Sequence, residues 1–140
     1  MERGITMELK DAQLSVSRAL PNGAASVTST AIDTKKTTAQ GAQPGDVEFR
    51  INAPAMNTTE MPDAKTMIYD VIMSDNSDLS SPTTLYDNLI TQTGAGGVGC
   101  AAKPQKFRLP TDAKRYIGFT ATGSAAGNST TATATIEILA

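Results

Sequence analysis

Histidine and tryptophan are absent from this 140-residue sequence, and cysteine occurs once, as Cys100. Histidine is the usual general acid or base in enzymes because its pKa lies near neutrality. A cysteine nucleophile needs a neighbouring base to form its thiolate, and no imidazole is present to supply one. We therefore expect a structural or binding protein rather than an enzyme, with no catalytic residues.

Motifs for metals and cofactors are also lacking. The glycine-rich residues 94–99 are followed by Ala-Ala-Lys-Pro, without the helix or the Gly-Lys-Ser/Thr that a nucleotide-binding loop needs. We interpret this segment as a flexible loop between strands. Asp75, Asn76 and Asp78 offer oxygen ligands but lack the glycine and bidentate glutamate of an EF-hand, so we interpret them as an Asx turn. No cofactor and no metal are expected.

Charge and hydropathy narrow the classes of partner. The chain has 12 Lys and Arg against 14 Asp and Glu, a net charge of −2, which favours neither nucleic acid nor an anionic membrane as partner. No apolar run approaches the roughly 18 residues that span a bilayer. The charged N-terminus lacks the apolar stretch of a signal peptide, and one cysteine permits no internal disulfide. We expect a soluble protein made in a reducing cytoplasm.

Alternation of apolar and polar residues is the main structural pattern. In residues 46–52, Val47, Phe49 and Ile51 alternate with polar residues, as in a half-buried strand. Residues 67–73 are almost entirely apolar, which is typical of a central strand covered on both faces. Further strands are predicted at 115–122 and 130–139, with shorter ones at 25–32, 85–91 and 105–109. Clusters of turn residues separate these segments, so we predict an all-β fold, an antiparallel β-sandwich or jelly roll.

The N-terminal region shows a different pattern. Residues 8–20 place Leu9, Leu14 and Leu20 at a helix-like spacing that Ser-Val-Ser interrupts. We interpret this region as an arm of uncertain structure that leads into the sandwich. The predicted organisation is an N-terminal arm over residues 1–11 and a single β-sandwich domain over residues 12–140.

Two groups of residues are candidates for contact with a partner. In the arm, Ile5, Met7 and Leu9 alternate with polar residues, a pattern that suits strand addition to a neighbouring molecule. Arg108 and Arg115 flank the turn that follows Phe107-Arg108-Leu109-Pro110. Their guanidinium groups suit carboxylates, which belong either to the protein's own acids or to a partner.

The order of short segments along the chain is more distinctive than any one motif. The segments are Leu9-Lys10-Asp11-Ala12-Gln13, Met61-Pro62-Asp63-Ala64-Lys65-Thr66-Met67, Ser74-Asp75-Asn76, Gln92-Thr93-Gly94-Ala95-Gly96-Gly97, Phe107-Arg108-Leu109-Pro110, Lys114-Arg115-Tyr116 and a final Ile-Glu-Ile-Leu-Ala. This succession resembles the head decoration, or capsid cement, proteins of tailed bacteriophages. It looks most similar to the jelly-roll cement proteins of short-tailed phages.

The resemblance implies a virion protein on the outer capsid surface, made in the cytoplasm of the host bacterium. Such a protein binds the assembled capsid, bridges neighbouring major capsid subunits and resists the pressure of packaged DNA. Its implied partners are the major capsid protein and further copies of itself, in a homodimer or homotrimer. The alternative function is a carbohydrate-binding β-sandwich module. Sugar sites commonly present a flat aromatic platform, which Tyr69, Tyr86 and Tyr116 would have to supply.

Overall fold

The computed structural model describes residues 15–34, 48–124 and 127–139, and this part of the chain contains β-strands and no helix. The strands are β1 (Ser15–Ala19), β2 (Ser26–Thr28), β3 (Ile32–Asp33), β4 (Glu48–Ala53), β5 (Thr66–Ser74), β6 (Thr83–Thr93), β7 (Lys103–Arg108), β8 (Tyr116–Gly123) and β9 (Thr133–Leu139). Each predicted strand overlaps an observed one, and the segment 25–32 contributes to two short strands, β2 and β3.

These strands form two antiparallel sheets. The first sheet has the order β1-β9-β4-β7, and the second has the order β2-β8-β5-β6, with β3 also paired to β8. When β2 and β3 are counted as one interrupted strand, the pairs β1–β9, β2/β3–β8, β4–β7 and β5–β6 are those of an eight-stranded jelly roll. The predicted fold class, an all-β sandwich of jelly-roll type, is therefore confirmed.

The core lies between the two sheets and is built from alternate residues of each strand. In β4, Phe49 and Ile51 point inward and are at most 1% exposed, as the alternation predicts. Phe49 stacks on Phe107 of β7, with ring centroids 5.3 Å apart, and the edge of Tyr86 from β6 meets Phe107 at 5.6 Å. This aromatic group joins the first sheet to the second at one side of the sandwich.

The second sheet contributes the other half of the core. Tyr69 of β5 and Phe119 of β8 are both fully buried, with ring centroids 6.4 Å apart. Val71 is paired with Phe119 across the two strands and is also fully buried. The inward residues of β5 and β8 thus provide the apolar surface against which the first sheet packs.

The expectation that β5 is covered on both faces holds only for its C-terminal half. There the segment after β5 folds back over the outer face, and Leu79 and Ile72 are at most 5% exposed. A Cβ at Gly118 would lie 2.4 Å from Leu79 Cδ1 and 2.9 Å from Ser29 Oγ. Glycine at this position allows the segment to lie directly on the sheet. Ile68, nearer the start of β5, is only half-buried.

Within the region 8–20, whose structure the sequence left uncertain, residues 15–19 belong to the sandwich. These residues form β1, which pairs with β9 so that Val16 lies opposite Ile136. The three leucines obscured the strand because their helix-like spacing extends across it, whereas the strand's own alternation is short. The arm itself, with Ile5, Met7 and Leu9, lies outside the described residues, and its boundary with the domain stays a prediction.

Candidate functional site

The outer face of the first sheet carries a fixed group of charged and polar side chains. Glu137 of β9 accepts hydrogen bonds at Oε2 from Arg50 Nε at 2.9 Å and Arg50 Nη2 at 2.6 Å. Asn52 Nδ2 donates to the same oxygen at 2.8 Å. Arg50 and Asn52 lie two residues apart on β4, so strand pairing brings both beside Glu137. The three side chains form a pre-ordered polar surface, which suits contact with another polar surface.

Arg108 lies on this first sheet, at the edge strand β7. Arg108 is exposed, and it lies opposite Glu48 of β4 in the strand pairing. The carbonyl oxygen of Arg108 accepts a 2.6 Å hydrogen bond from the hydroxyl group of Tyr86. This bond fixes the backbone of the edge strand to the second sheet, while the Arg108 side chain points away from the core.

Arg115 binds an acid of its own chain. Its Nε donates to Asp33 Oδ1 at 2.7 Å, and its Nη2 donates to Asp33 Oδ2 at 2.9 Å. The guanidinium group also lies over the ring of Tyr116, 5.2 Å from its centroid. The hydrogen bonds to Asp33 raise the pKa of Arg115. The interpretation that this arginine fixes the turn to the protein's own acid is therefore confirmed. Arg108 lies on β7 of the first sheet, whereas Arg115 directly precedes β8 of the second sheet.

The glycine-rich loop at residues 94–99 contains several hydrogen bonds. Gly97 N donates to Asp63 Oδ1 at 2.9 Å, and Ala95 N donates to Gly99 O at 3.2 Å. Val98 at its tip is 77% exposed. One amide that a phosphate group would need already binds a carboxylate, which agrees with a loop between strands. The loop joins β6 to β7, as the interpretation of an inter-strand loop requires, and its flexibility stays a prediction.

A shallow groove of about 400 Å³ lies beside this loop, between the end of β6 and the segment that leads into β7. Gln92 is buried and is one of the residues that line the groove, and its Oε1 accepts a 2.8 Å bond from the Tyr69 hydroxyl. The Gln92 Nε2 donates to Pro54 O and Ala101 O. Cys100 also lines the groove, and burial raises the pKa of its thiol. Sequence reasoning missed Gln92, although its place two residues after Ile90 in an alternating strand predicts an inward side chain.

The acidic segment after β5 is a turn held by internal hydrogen bonds. Ser80 N donates to Asp78 Oδ1 at 2.9 Å, and Ser74 Oγ donates to Ser80 O at 2.6 Å. The bond from the Ser80 hydroxyl lowers the pKa of Asp78. Within the described ranges, no group of three or more His, Cys, Asp or Glu could hold a metal ion. The Asx-turn interpretation is confirmed.

The three tyrosines do not form a common platform. Tyr69 is fully buried, Tyr86 packs against Phe107, and Tyr116 lies under the guanidinium group of Arg115. Tyr86 lies opposite the buried Val71 and therefore belongs to the inward side of β6, an edge strand of the second sheet. Tyr116 lies on β8, opposite Asp33 of β3. Their positions do not favour the stacking surface that the carbohydrate-binding alternative requires.

Comparisons with known proteins give little information. No family model matches the chain, and no curated protein matches it. One similar solved structure is described as "Family 16 Carbohydrate Binding Module-2", with a TM-score of 0.35 and 10% identity over 85% of this chain and 73% of that one. We draw no functional argument from a similarity at this level. In the part of the chain that the structure describes, no helix is long and apolar enough to cross a membrane.

Proposed function

We propose that this chain is a capsid cement protein of a tailed bacteriophage. It would bind the outer surface of the assembled head and bridge neighbouring major capsid subunits. The observation that carries the proposal is the succession of sequence segments that resembles jelly-roll cement proteins. The jelly-roll strand order is the fold that this resemblance implies. The protein would act by binding and would catalyse no reaction.

Several of the sequence segments that carry the resemblance make contacts that join different strands and loops of the sandwich. Asp63, in the segment before β5, accepts the bond from Gly97 in the loop after β6, and it also pairs with Gly94 in an isolated bridge. Phe107 packs against Phe49 in the core, and Arg115 orders the start of β8. The shared order of segments therefore supports a shared fold, and it leaves the capsid contacts to be identified on the surface.

The outer face of the first sheet is the surface that we assign to the capsid. It carries Arg50, Glu137 and Asn52 in fixed positions, with the exposed Arg108 at its edge. A surface that is polar yet pre-ordered keeps the protein soluble before assembly and limits the entropy lost on binding. Repetition over a lattice then raises the avidity of individually weak contacts.

Co-sedimentation with expanded, undecorated heads of the phage tests this function. We expect saturable binding at a fixed ratio to the major capsid protein, and decorated heads should survive a higher temperature than undecorated ones. Arg108→Glu should weaken binding about tenfold or more, because interface arginines often contribute over about 1 kcal/mol. Arg18→Glu makes the same charge change at an exposed position on the opposite edge strand, so it serves as the matched control.

Two results would contradict parts of this proposal. Failure of the folded protein to bind heads would overturn the cement function itself. If Arg108→Glu and Arg18→Glu weakened binding to the heads equally, the effect would be one of general charge, and the assignment of this face to the capsid would be removed. Deletion of residues 1–10 tests the arm separately: we expect reduced binding, and full binding together with unchanged oligomerisation would exclude a role for Ile5, Met7 and Leu9.

A further inference from the structure

Charge is distributed unevenly between the two sheets. In the part of the chain that the structure describes, the strands of the first sheet carry five basic and two acidic residues. The strands of the second sheet carry three aspartates and no basic residue, although Arg115, directly before β8, binds one of them. The turn that joins β5 to β6 adds Asp75 and Asp78. A protein of net charge −2 thus presents one sheet with an excess of basic residues.

The basic residues of the first sheet are concentrated on its edge strand β7. Lys103, Lys106 and Arg108 are all exposed, and no acidic residue lies on this strand. The opposite edge strand, β1, carries a single base, Arg18. Three strand spacings separate the two edges, about 14 Å, which exceeds the Debye length of about 8 Å at physiological ionic strength. Arg18 therefore adds little to the electrostatic field at β7.

The two lysines of β7 keep donors for a partner. Lys106 Nζ lies 3.9 Å from Glu48 Oε1, a long distance for an ion pair, and the Lys106 side chain is 57% exposed. Lys103 Nζ donates to Thr91 O at 3.0 Å, which uses one of the three N–H donors of an ammonium group. Both ammonium groups can therefore bind a further anion without breaking a strong internal contact.

The acidic residues of the same face decide between two classes of anion. Glu137 on β9 is bound by Arg50, and Glu48 on β4 lies opposite Arg108. A nucleic acid presents a continuous row of phosphate charges, which the two glutamates would repel. Separate carboxylates on a protein surface can meet the bases one at a time and avoid the glutamates. The face therefore suits an acidic protein surface better than a nucleic acid.

We propose that the partner surface bound by the first sheet is rich in carboxylates and places them against β7. The inference rests on the proposed function, in which this partner is the major capsid protein. Ammonium and guanidinium groups bind carboxylates through charge-assisted hydrogen bonds. The aspartates of the second sheet add to the effect, because an acidic surface repels them and attracts the first sheet. Charge thus sets the orientation in which the protein meets the capsid.

Binding to undecorated heads at increasing NaCl concentration tests the charge of the partner. The affinity of the wild type should fall as salt screens the contact. Lys106→Glu should bind about tenfold more weakly than the wild type at low salt. This difference should shrink at about 1 M NaCl, where the Debye length is about 3 Å. Lys106→Arg keeps the charge and should bind like the wild type.

Lys65→Glu is the matched control, since it reverses the same charge in the loop before β5 and should leave binding unchanged. Equal losses of affinity in Lys65→Glu and Lys106→Glu would show an effect of net charge and overturn the proposal. Binding of the wild type that does not depend on salt would also overturn it, while the cement function would stand. Failure of the folded wild type to bind heads at any salt concentration would overturn both. A urea titration of each variant confirms that it is folded.

Chemical neutralisation of the head surface tests the carboxylates directly. A water-soluble carbodiimide with ethanolamine converts exposed carboxylates to neutral amides. Treated heads that remain intact should bind the wild type about tenfold more weakly than untreated heads, and Lys106→Glu should then bind as the wild type does. Equal binding of the wild type to treated and untreated heads would overturn the proposal. Binding that survives this treatment but is lost after nuclease digestion would assign the face to a nucleic acid instead.

Discussion

Glu60 illustrates how one side chain connects distant parts of the chain. Its Oε1 accepts a 2.9 Å bond from Asn57 N, while Asn57 Oδ1 accepts the N–H groups of Thr59 and Glu60 at 3.0 Å. This reciprocal arrangement is that of a capping box. The second carboxylate oxygen accepts a 2.6 Å bond from the Thr131 hydroxyl. The Thr131 bond is the main reason that the pKa of Glu60 is lowered from 4.5.

We predict that Glu60 makes stability depend on pH. A carboxyl group with a lowered folded pKa contributes stability that is complete above its unfolded pKa and is lost as pH falls through the folded value. Glu60→Gln keeps an acceptor for the capping box but removes the charge. The difference in free energy of unfolding between wild type and Glu60→Gln, measured in urea, should shrink as pH falls from neutrality to below 4.5.

Asp112→Asn is the control for this measurement, since it removes one negative charge from an exposed position in another turn. The comparison of the two substitutions separates the hydrogen-bonded carboxylate from the general effect of net charge. A difference between wild type and Glu60→Gln that stays constant over the whole pH range would contradict the assigned role.

At the scale of single residues, the sequence predicted which side chains are buried better than it predicted which residues they contact. Phe49 and Ile51 were expected to share a buried face, and both do, because the direction of side chains along a strand depends on local geometry alone. For Arg115, the sequence could not decide whether the guanidinium group binds an acid of its own chain or an acid of another protein. Only the pairing of β3 with β8 brings Asp33 to it.

At the scale of elements, the loop between β6 and β7 depends on glycine for two different reasons. Gly97 has φ = +70°, and no atom lies within 4 Å of the position that its Cβ would occupy. Gly99 has φ = +79°, and its Cβ would lie about 1.9 Å from the carbonyl oxygen of Met56. The first position therefore requires glycine for its backbone conformation, and the second also requires it for space.

We predict that alanine is tolerated much better at the first position than at the second. Gly97→Ala should cost about 1–2 kcal/mol for the left-handed backbone. Gly99→Ala should cost more, because the Met56–Cys100 bridge must also move. Urea denaturation of the two variants provides a matched comparison. If both variants lost the same free energy of unfolding, the contact with Met56 would not constrain the loop.

Most elements were predictable as elements, but their boundaries and roles were less so. The alternating and apolar runs that predicted β4 and β5 are strong because each strand has one face against the core. The strand β1 was missed, since a five-residue strand at an edge has little internal pattern. The hydrogen bond from Gly97 to Asp63 could not be predicted either, because the two residues are distant in sequence.

At the scale of the whole molecule, stability depends on the core that the two sheets share. We predict that Phe119→Ala, and likewise Phe49→Ala, lowers the free energy of unfolding by about 3–5 kcal/mol, as large-to-small core changes do. Phe119 is fully buried and contacts Tyr69. Thr120→Ala changes the next residue, which lies on the outer face, and should cost about 1 kcal/mol or less.

Equilibrium unfolding in urea, followed by two spectroscopic probes, measures these changes. If the sandwich unfolds as one unit, both probes should give the same midpoint for each variant. A loss of less than about 1 kcal/mol for Phe119→Ala would show that its ring does not hold the sheets together. Separate transitions would show that one sheet survives the loss of the other.

The sequence by itself determined the all-β class and the inward faces of the main strands, because both follow from local alternation. It also limited the chemistry, since histidine is absent. Only the tertiary structure decided that Val16 lies opposite Ile136, that Leu79 covers Gly118 and that Val98 stays exposed beside a groove. These arrangements depend on contacts between residues far apart in the chain, and a pattern of neighbouring residues carries no information about which distant strand completes a sheet.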